Sequence, residues 1–286
     1  MTSPYDHAPD CVLTSIGPQN QNSEVYCAGF EFSEWWCDGL ADNLIEWIVD
    51  YALKSDELKS LNHTNSYVRL KQAAARVYTS PKYQRRGEVG EIAAHAICRK
   101  YFGTIPVAPR VNYLSASNDP VKAFDLVHVR YKAQGQIELW LGEAKFFKNR
   151  NDALSDAIKS IEAHITRGFL TNEKLLLGPQ ISTDIPHSEK IKELLSSSVS
   201  LDQLIKQAVF PVLIAANSDA TPNHNAITSQ YTKDVLAEMN LLQQKLQDTK
   251  LSSKIKLFLI YVPLGDKDKL NTAFDARLKG LQVGAD

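Results

Sequence analysis

The chain has 286 residues, 44% hydrophobic and 23% charged, which is typical of a globular protein with a sizeable core and not of a disordered one. Its formal net charge of −1 is low for a protein that holds nucleic acid by bulk electrostatics alone. No segment approaches the roughly 20 apolar residues of a membrane helix, and neither a signal peptide nor zinc-type cysteine spacing is present. A cytoplasmic protein without membrane contact is expected.

Hydrophobic periodicity predicts strands and helices in alternation after a loose N-terminal segment of 22 residues that is rich in Pro, Asn, Gln and Ser. The predicted strands are Glu24–Phe32, Val107–Leu114, Phe124–Tyr131, Ile137–Lys145, Val209–Ala216 and Ile255–Val262. The predicted helices are Leu40–Leu53, Leu70–Tyr78, Gly87–Tyr101, Asp152–Thr166, Ile191–Ala208, Thr232–Leu246 and Lys267–Leu281. This order predicts an α/β fold whose sheet is covered by helices on its faces.

Two of these strands are joined by a short connection, and this arrangement indicates a β-hairpin. The connection KAQGQ has Gly135 at its tip, which supports a tight reversal of the chain. Side chains alternate between the two faces of a strand, so Glu143 and Lys145 lie on the same face. These two side chains can reach one shared point.

The first strand of the hairpin supplies a second carboxylate. A reversal at Gln134 and Gly135 places Asp125 near Ala144. A one-residue change of register, or a bulge, turns the carboxylate of Asp125 to the face that carries Glu143. Two carboxylates and an ammonium group then converge at one end of the hairpin.

This set of groups fits the hydrolysis of a phosphodiester bond. Paired carboxylates suit a hard cation such as Mg²⁺, and Lys145 can orient or deprotonate the attacking water and stabilise the transition state. The same residues also occur on solvated faces and in surface ion pairs. The apolar letters LWLG before Glu143 and FF after Lys145 favour a site, because isolated charges are costly to bury.

A helix upstream of the hairpin carries two further acids. Glu88 and Glu91 are three residues apart and occupy neighbouring positions on that helix. Either can add a carboxylate to a metal site, or both can simply favour the helix N-terminus electrostatically. Both interpretations stay open.

The order of these residues resembles the PD-(D/E)xK nuclease superfamily: Gly87 and Glu91 in a helical GxxxE, Asp125 at the start of a strand, then Glu143 and Lys145. More narrowly, RRGEVGEIAAHAI, PVKAFDLVHV and LWLGEAKFF resemble the HamA family. That family supplies the nuclease subunit of the Hachiman anti-phage defence system, which works with the helicase HamB.

The resemblance implies a restriction-endonuclease-like PD-(D/E)xK core with a mixed central sheet flanked by helices. On this basis, residues 81–286 form the nuclease-like domain and residues 1–80 an N-terminal extension packed on it. Phe124 replaces the proline of the superfamily's name, which leaves the neighbouring acid in place.

The resemblance also implies roles for individual residues. Asp125, Glu143 and Glu91 would bind Mg²⁺ or Mn²⁺, and Lys145 would be catalytic. Glu88 competes with Glu91 for the helix position, because a helical wheel does not settle which of them faces the sheet. The implied substrate is DNA and the implied partner is a HamB-like helicase in a heterodimer.

Several other residues are candidates for a role at or near the site. The positive residues Lys82, Arg85, Arg86, Lys148 and Arg150 either meet phosphates or form an ordinary solvated surface. Three histidines, His95, His128 and His164, are candidates for acid–base roles, and most of them are expected to be structural. Two adjacent tryptophans, Trp35 and Trp36, are expected in the core or in an interface.

The sequence therefore predicts a metal-dependent DNA nuclease that is held in check by a helicase. A helicase partner would supply the grip on nucleic acid that the modest net charge does not provide. Two alternatives stay open: a catalytically silent subunit that regulates the helicase, and an independent restriction-type endonuclease that recognises a sequence itself.

Overall fold

The computed structural model of the chain describes Tyr5 and residues 8–17, 21–77, 87–107 and 124–282. The strands found there are β1 (Thr14–Ser15), β2 (Ser23–Cys27), β3 (Phe30–Glu31), β4 (Glu34–Trp35), β5 (Ile105–Pro106), β6 (Leu126–Tyr131), β7 (Ile137–Phe147), β8 (Ala208–Asn217) and β9 (Lys256–Leu264). Seven of these described strands form one sheet in the order β1-β2-β9-β8-β7-β6-β5, and β3 pairs with β4 in a separate hairpin.

The sheet is mixed, and its strand direction changes at β7 and again at β2, which pairs with β1 in antiparallel fashion. Strands β7, β8, β9 and β2 run parallel to one another, whereas β6 is antiparallel to β7 and β5 to β6. The 11-residue β7 is therefore hydrogen-bonded along both edges, to β6 on one side and to β8 on the other. The predicted mixed sheet flanked by helices is confirmed.

Helices cover both faces of this sheet. They are α1 (Cys37–Ala52), α2 (Ser55–Lys59), α3 (Ser66–Val77), α4 (Glu88–Phe102), α5 (Arg150–His164), α6 (Arg167–Leu177), α7 (Ser188–Leu194), α8 (Leu201–Gln207), α9 (Ser229–Gln247) and α10 (Lys267–Gly280). Helices α1, α3, α4 and α10 share one apolar core, and helices α5 to α9 share the other.

Alternation along β7 divides its side chains between the two cores. Leu139 and Leu141 enter the core beneath α5, whereas Trp140, Ala144 and Phe146 enter the core beneath α4. By the same alternation, odd-numbered residues near the end of β7 face α5.

Two predicted elements differ from the structure. The strand predicted over Glu24–Phe32 is interrupted by Gly29, whose φ of 80° turns the chain out of the sheet into the β3–β4 hairpin. The helix predicted over Ile191–Ala208 is two helices, because Ser200 starts a new one with a capping box to Gln203. Helix α6 was not predicted. Most of the strand predicted over Val107–Leu114 lies outside the described residues.

Residues assigned to the N-terminal extension contribute to the sheet itself. Strand β2 pairs with β9 in parallel, with Val25 opposite Tyr261, and β1 pairs with β2 at the sheet edge. Helix α1 packs against α10, which lies near the other end of the chain. The domain division at residue 80 stays a prediction.

None of the helices in the described part of the chain combines the length and the apolar character that crossing a bilayer requires.

Candidate active site

The β6–β7 hairpin places Asp125 directly across from Glu143. The pairing runs from Tyr131 opposite Ile137 to Leu126 opposite Gly142, so the next pair outward is Asp125 and Glu143. The reversal is centred on Gln134, and not between Gln134 and Gly135, in a connection that contains a 3-10 turn over Ala133–Gly135, so the pairing is shifted by one residue. This is the one-residue change of register that brings both carboxylates to one face.

The carboxylate of Asp125 also contacts the opposite strand. Its Oδ2 accepts a hydrogen bond of 2.9 Å from the backbone N–H of Ala144. This contact fixes Asp125 at the point where β6 begins. Asp125 thereby joins the end of the hairpin that carries Glu143 and Lys145.

Lys145 lies among three oxygen groups. Its Nζ is 2.9 Å from Oε1 of Glu143 and 2.8 Å from Oδ2 of Asp156, and it donates to Oγ of Ser160 at 3.1 Å. Burial lowers the pKa of Lys145, but the negative charges of Glu143, Asp156 and Asp125 outweigh it, so the pKa is raised overall. Lys145 therefore carries a positive charge at neutral pH.

Glu143 is buried and contacts two basic side chains. Oε1 pairs with Lys145, and Oε2 lies 3.4 Å from Nδ1 of His164. Burial raises the pKa of Glu143, but the contact with His164 and the charge of Lys145 outweigh it and lower that pKa overall. Among the described residues, Oε2 makes no hydrogen bond of good geometry. Glu143 is thus an ionised carboxylate with one oxygen incompletely satisfied.

Helix α5 supplies three partners of Glu143 and Lys145, which are Asp156, Ser160 and His164. The helix begins at Arg150 because the side chain of Asn149 accepts hydrogen bonds from the N–H groups of Asn151 and Asp152. Its residues Asp156, Ser160 and His164 are spaced by four and therefore share one face.

That polar face was not recognised from the sequence. The apolar residues of α5, at spacings of three and four, predict an amphipathic helix. That pattern does not indicate which of the polar positions between them contact a site. The signal that could have revealed the face was a run of Asp156, Ser160 and His164 at i, i+4 and i+8.

The ring of His164 is held by two phenylalanines. It stacks on Phe169 of α6 at 4.3 Å between ring centroids and meets Phe124 edge-on at 4.9 Å. Phe124 is the residue that precedes Asp125. It therefore contributes packing that fixes the orientation of His164.

Helix α4 approaches β7 from the opposite face of the sheet. A Cβ added at Gly90 would lie 3.2 Å from Cβ of Phe146 and 3.6 Å from the carbonyl carbon of Lys145. The absence of a side chain at Gly90 therefore allows the first turn of α4 to contact the end of β7 closely.

The two helix acids belong to this first turn. Glu91 is buried, and its Oε2 accepts a hydrogen bond of 2.6 Å from the hydroxyl of Tyr51 on α1. Glu88 is the first residue of α4 and is only partly buried. Both acids have a buried carboxylate oxygen, since Oε2 of Glu88 is buried as well, and the carboxylate of Glu91 is bound by Tyr51.

The structure does not by itself define a complete metal site. Among the described residues, no group of three or more His, Cys, Asp and Glu side chains is arranged to hold a metal ion. The arrangement it does provide is a pair of opposed carboxylates, those of Asp125 and Glu143, with an ammonium group beside them.

The five positive residues that precede the helix or follow the hairpin fall into two groups. Lys82, Arg85 and Arg86 lie outside the described residues. Lys148 pairs with Asp268, and Arg150 pairs with Asp219. These two described cations therefore already have acidic partners within the chain.

His95 and His128 form part of a buried chain of hydrogen bonds. Nε2 of His95 lies 2.6 Å from Oδ1 of Asp50, Nδ1 of His95 lies 3.1 Å from Nε2 of His128, and Nδ1 of His128 lies 2.7 Å from Oγ1 of Thr104. Arg99 pairs with the same carboxylate of Asp50. His128 belongs to the face of β6 opposite Asp125, and this network joins α1, α4 and β6.

The two tryptophans are half-buried and pack against the fold. Trp35 covers Gly265, where an added Cβ would lie 2.8 Å from its ring, and Trp36 covers Gly39 in the same way. Both rings are therefore packing residues, as expected.

Comparison with known proteins identifies the family. A search of curated proteins gave no match. Residues 7–278 match the family model of HamA, so the match covers nearly the whole chain and includes every candidate site residue discussed above. The chain belongs to the HamA family.

Proposed function

We propose that this protein is a metal-dependent DNA nuclease with a PD-(D/E)xK core, acting as an effector subunit of a Hachiman anti-phage defence complex. The observation that carries the proposal is the placement of Asp125 opposite Glu143, with Lys145 bound to Glu143 on the same strand. Membership in the HamA family supports the role in defence.

Asp125 and Glu143 are the residues that would hold Mg²⁺ or Mn²⁺. Two carboxylates match the donors that Mg²⁺ takes from proteins, and water and substrate phosphate complete its shell. Oε2 of Glu143 is a buried oxygen without a well-formed hydrogen bond among the described residues, which fits a further ligand there. A bound ion would neutralise negative charge on the phosphate.

Lys145 acts in this proposal as a fixed positive charge. Because its neighbouring carboxylates raise its pKa, its ammonium group stays protonated at neutral pH and is a poor proton acceptor. It orients water and stabilises negative charge on the phosphate through hydrogen bonds. His164 and Asp156 fix the positions of Glu143 and Lys145.

Glu91 is proposed as the auxiliary acid from the helix. Its hydrogen bond from Tyr51 holds the carboxylate in one position in the first turn of α4, the helix that packs on the sheet face opposite α5. Glu88 is the competing residue, at the partly buried start of the same turn, and its Oε2 is also buried. A metal-affinity measurement on Glu91→Gln and Glu88→Gln would separate the two.

A HamB-like helicase is proposed as the partner. The net charge of −1 gives this chain little general attraction for DNA, so a helicase that holds DNA would deliver the substrate. Control by a partner also suits a nuclease without sequence preference, whose free activity would damage the host.

Nicking of supercoiled plasmid by the purified protein, with and without the helicase, tests this function. We expect nicking that requires Mg²⁺ or Mn²⁺ and is lost in Glu143→Gln and in Lys145→Met. The half-buried Lys192→Met, on α7 and paired with Glu189, is the matched control and should retain activity. Thermal unfolding of each variant checks that the fold is intact. Nicking that persists in both site variants would reject the assigned residues.

The catalytically silent subunit is the second candidate. It is favoured by the two basic neighbours of Glu143 and by the lack of a three-ligand metal group among the described residues. Absence of nicking under all metal and helicase conditions, with helicase activity changed by the subunit, would establish it. Discrete fragments of fixed length would instead indicate a restriction-type enzyme.

A further inference from the structure

A fully exposed phenylalanine forms the tip of the β3–β4 hairpin. Glu31 pairs with Glu34, so the turn consists of Phe32 and Ser33. The side chain of Phe32 is 96% exposed. A large aromatic residue left in water at the end of a hairpin contributes no burial to this fold.

The backbone of this turn is strained. Phe32 has a φ of 48° and Ser33 a φ of 67°, so both residues adopt the left-handed conformation of a type I′ turn. Asn-Gly and Asp-Gly are the residues that suit such a turn, and bulky side chains are rare there. Sequence preference alone would not place phenylalanine at this position.

The rest of the hairpin is firmly attached to the body of the protein. The ring of Phe30 packs edge-on against Tyr231 at 5.1 Å, and the ring of Trp35 covers Gly265. The N–H of Trp36 donates to the carbonyl of Gly29 at 3.0 Å, which closes the base of the hairpin. The tip is therefore held out rigidly, while the aromatic residues on either side of it are packed.

We propose that Phe32 is an anchor that inserts into an apolar pocket on a protein partner. Rigid, exposed aromatic residues are the typical hot spots of protein interfaces, because little conformational entropy is lost when they bind. The fold keeps this strained turn although the Phe32 side chain does not pack against the chain. Such strain is consistent with a role in binding another molecule.

The charges beside the tip indicate the chemistry of the partner. Phe32 is flanked by the exposed acids Glu31 and Glu34, and Glu34 lies 3.8 Å from Lys269 as its counter-ion. Two carboxylates would repel the phosphates of DNA or of an anionic membrane. They would attract Lys and Arg side chains at the rim of a protein pocket. The partner surface is therefore an apolar pocket with a basic rim.

This inference rests on the proposed function, since it places that pocket on the helicase subunit. The test measures the affinity of the purified full-length chain for the helicase encoded in the same system. The double variant Phe32→Asn with Ser33→Gly installs the preferred turn residues. We expect it to bind the helicase at least about tenfold more weakly, the range of a hot-spot loss. Its thermal midpoint should rise because the turn is relaxed.

Two further variants make the test specific. Tyr67→Ala removes another exposed aromatic residue, 62% exposed on α3, and should bind like the wild type. Glu31→Gln with Glu34→Gln should bind more weakly, and the affinity of this variant should depend less on salt.

Three results would overturn the proposal. The first is a Phe32→Asn, Ser33→Gly variant that binds the helicase as tightly as the wild type does. The second is loss of binding to a DNA duplex with helicase binding unchanged, which would assign the tip to nucleic acid. The third is a wild-type chain that does not bind the helicase, which would also reject the proposed partner. Partner-free nicking by the wild type and by Glu143→Gln distinguishes that failure from failure of the nuclease assignment.

Discussion

The imidazole of His164 lies beside the carboxylate of Glu143, with Nδ1 3.4 Å from Oε2. The two residues belong to different elements, α5 and β7, and the ring is held in place by Phe124 and Phe169. Both atoms are buried, and neither makes a well-formed hydrogen bond among the described residues. His164 is thus suited to fix the orientation of Glu143, a role of the kind that partners of metal ligands commonly have.

Replacing His164 separates this positioning role from simple packing. His164→Leu removes the ring nitrogen, and we expect single-turnover plasmid cleavage to slow about 10- to 100-fold, the usual effect of losing a partner of a metal ligand. His164→Asn retains an N–H donor near the position of Nδ1 and should recover part of the rate. Affinity for Mn²⁺ should follow the same order. Equal rates in the Leu and Asn variants would show that only packing matters.

Asp156 is expected to hold the ammonium group of Lys145 in place. Asp156→Ala removes the 2.8 Å ion pair, so Lys145 can leave the position it shares with Glu143. Misplacing a reacting group is costly, and we expect cleavage to slow about tenfold. Glu162→Ala, on the exposed side of the same helix, is the matched control. An unchanged or faster rate in Asp156→Ala would contradict the anchoring role.

Gly142 permits the close packing that brings the strands together next to the site. A Cβ at this position would lie 2.9 Å from Cγ of Pro211 and 3.0 Å from Cβ of Leu126. Gly142→Ala should therefore lower the free energy of unfolding by about 1–3 kcal/mol through overpacking. The variant should also slow plasmid cleavage, because the added methyl group displaces the strands next to Glu143.

A second glycine provides the control for this prediction. An added Cβ at Gly168, in α6, meets nothing within 4 Å. Gly168→Ala should raise the free energy of unfolding by about 0.4–1 kcal/mol, because it restricts the unfolded chain. Urea titration measures both variants, and an Ala at position 142 without cost would contradict the packing argument.

The buried histidine network should make stability depend on pH. Burial lowers the pKa of His128 well below its ordinary value, and burial also lowers the pKa of His95 despite the nearby Asp50. Both imidazoles bind protons more readily in the unfolded chain, so stability falls as the pH drops below about 6.5, the ordinary histidine value. Each neutral histidine contributes a slope of about 1.4 kcal/mol per pH unit in that range.

Urea unfolding at pH 7.5, 6.5 and 5.5 measures this slope. His128→Gln should flatten the loss of stability between pH 6.5 and 5.5, because one of the two groups no longer takes up a proton on unfolding. His63→Gln, at an exposed position, should leave the slope unchanged. A slope that is the same in His128→Gln and in the wild type would show that other groups govern the pH dependence.

The parts of the site that lie on one hairpin could be predicted from local rules. Strand alternation places Glu143 and Lys145 together, and a short connection containing Gly135 returns the chain toward Asp125. The exact register could not be predicted, because it depends on the 3-10 turn over Ala133–Gly135, which residue spacing does not reveal. One residue decides which carboxylates face each other.

The contributions of the helices depend on tertiary contacts that span many residues. Tyr51 and Glu91 are 40 residues apart, and nothing local links them. His164 is one of the histidines expected to be mostly structural, because scattered single histidines usually are. Its contacts with Phe124 and Phe169, which hold the ring beside Glu143, form only on folding. The broken helix after Leu194 shows the reverse case, since the capping box of Ser200 was present in the sequence and outweighs the helical spacing around it.

The position of β7 in the sheet determines how its amide protons exchange with solvent. Its backbone pairs with β6 from Ile137 to Gly142 and with β8 from Glu143 to Phe147, with Glu143 opposite Val212. Amide protons there should exchange only when the sheet opens as a whole, whereas those of α5 can exchange by local opening. A signal that changes the activity would therefore act on the helix above the strand and leave the hydrogen-bonded backbone beneath it intact.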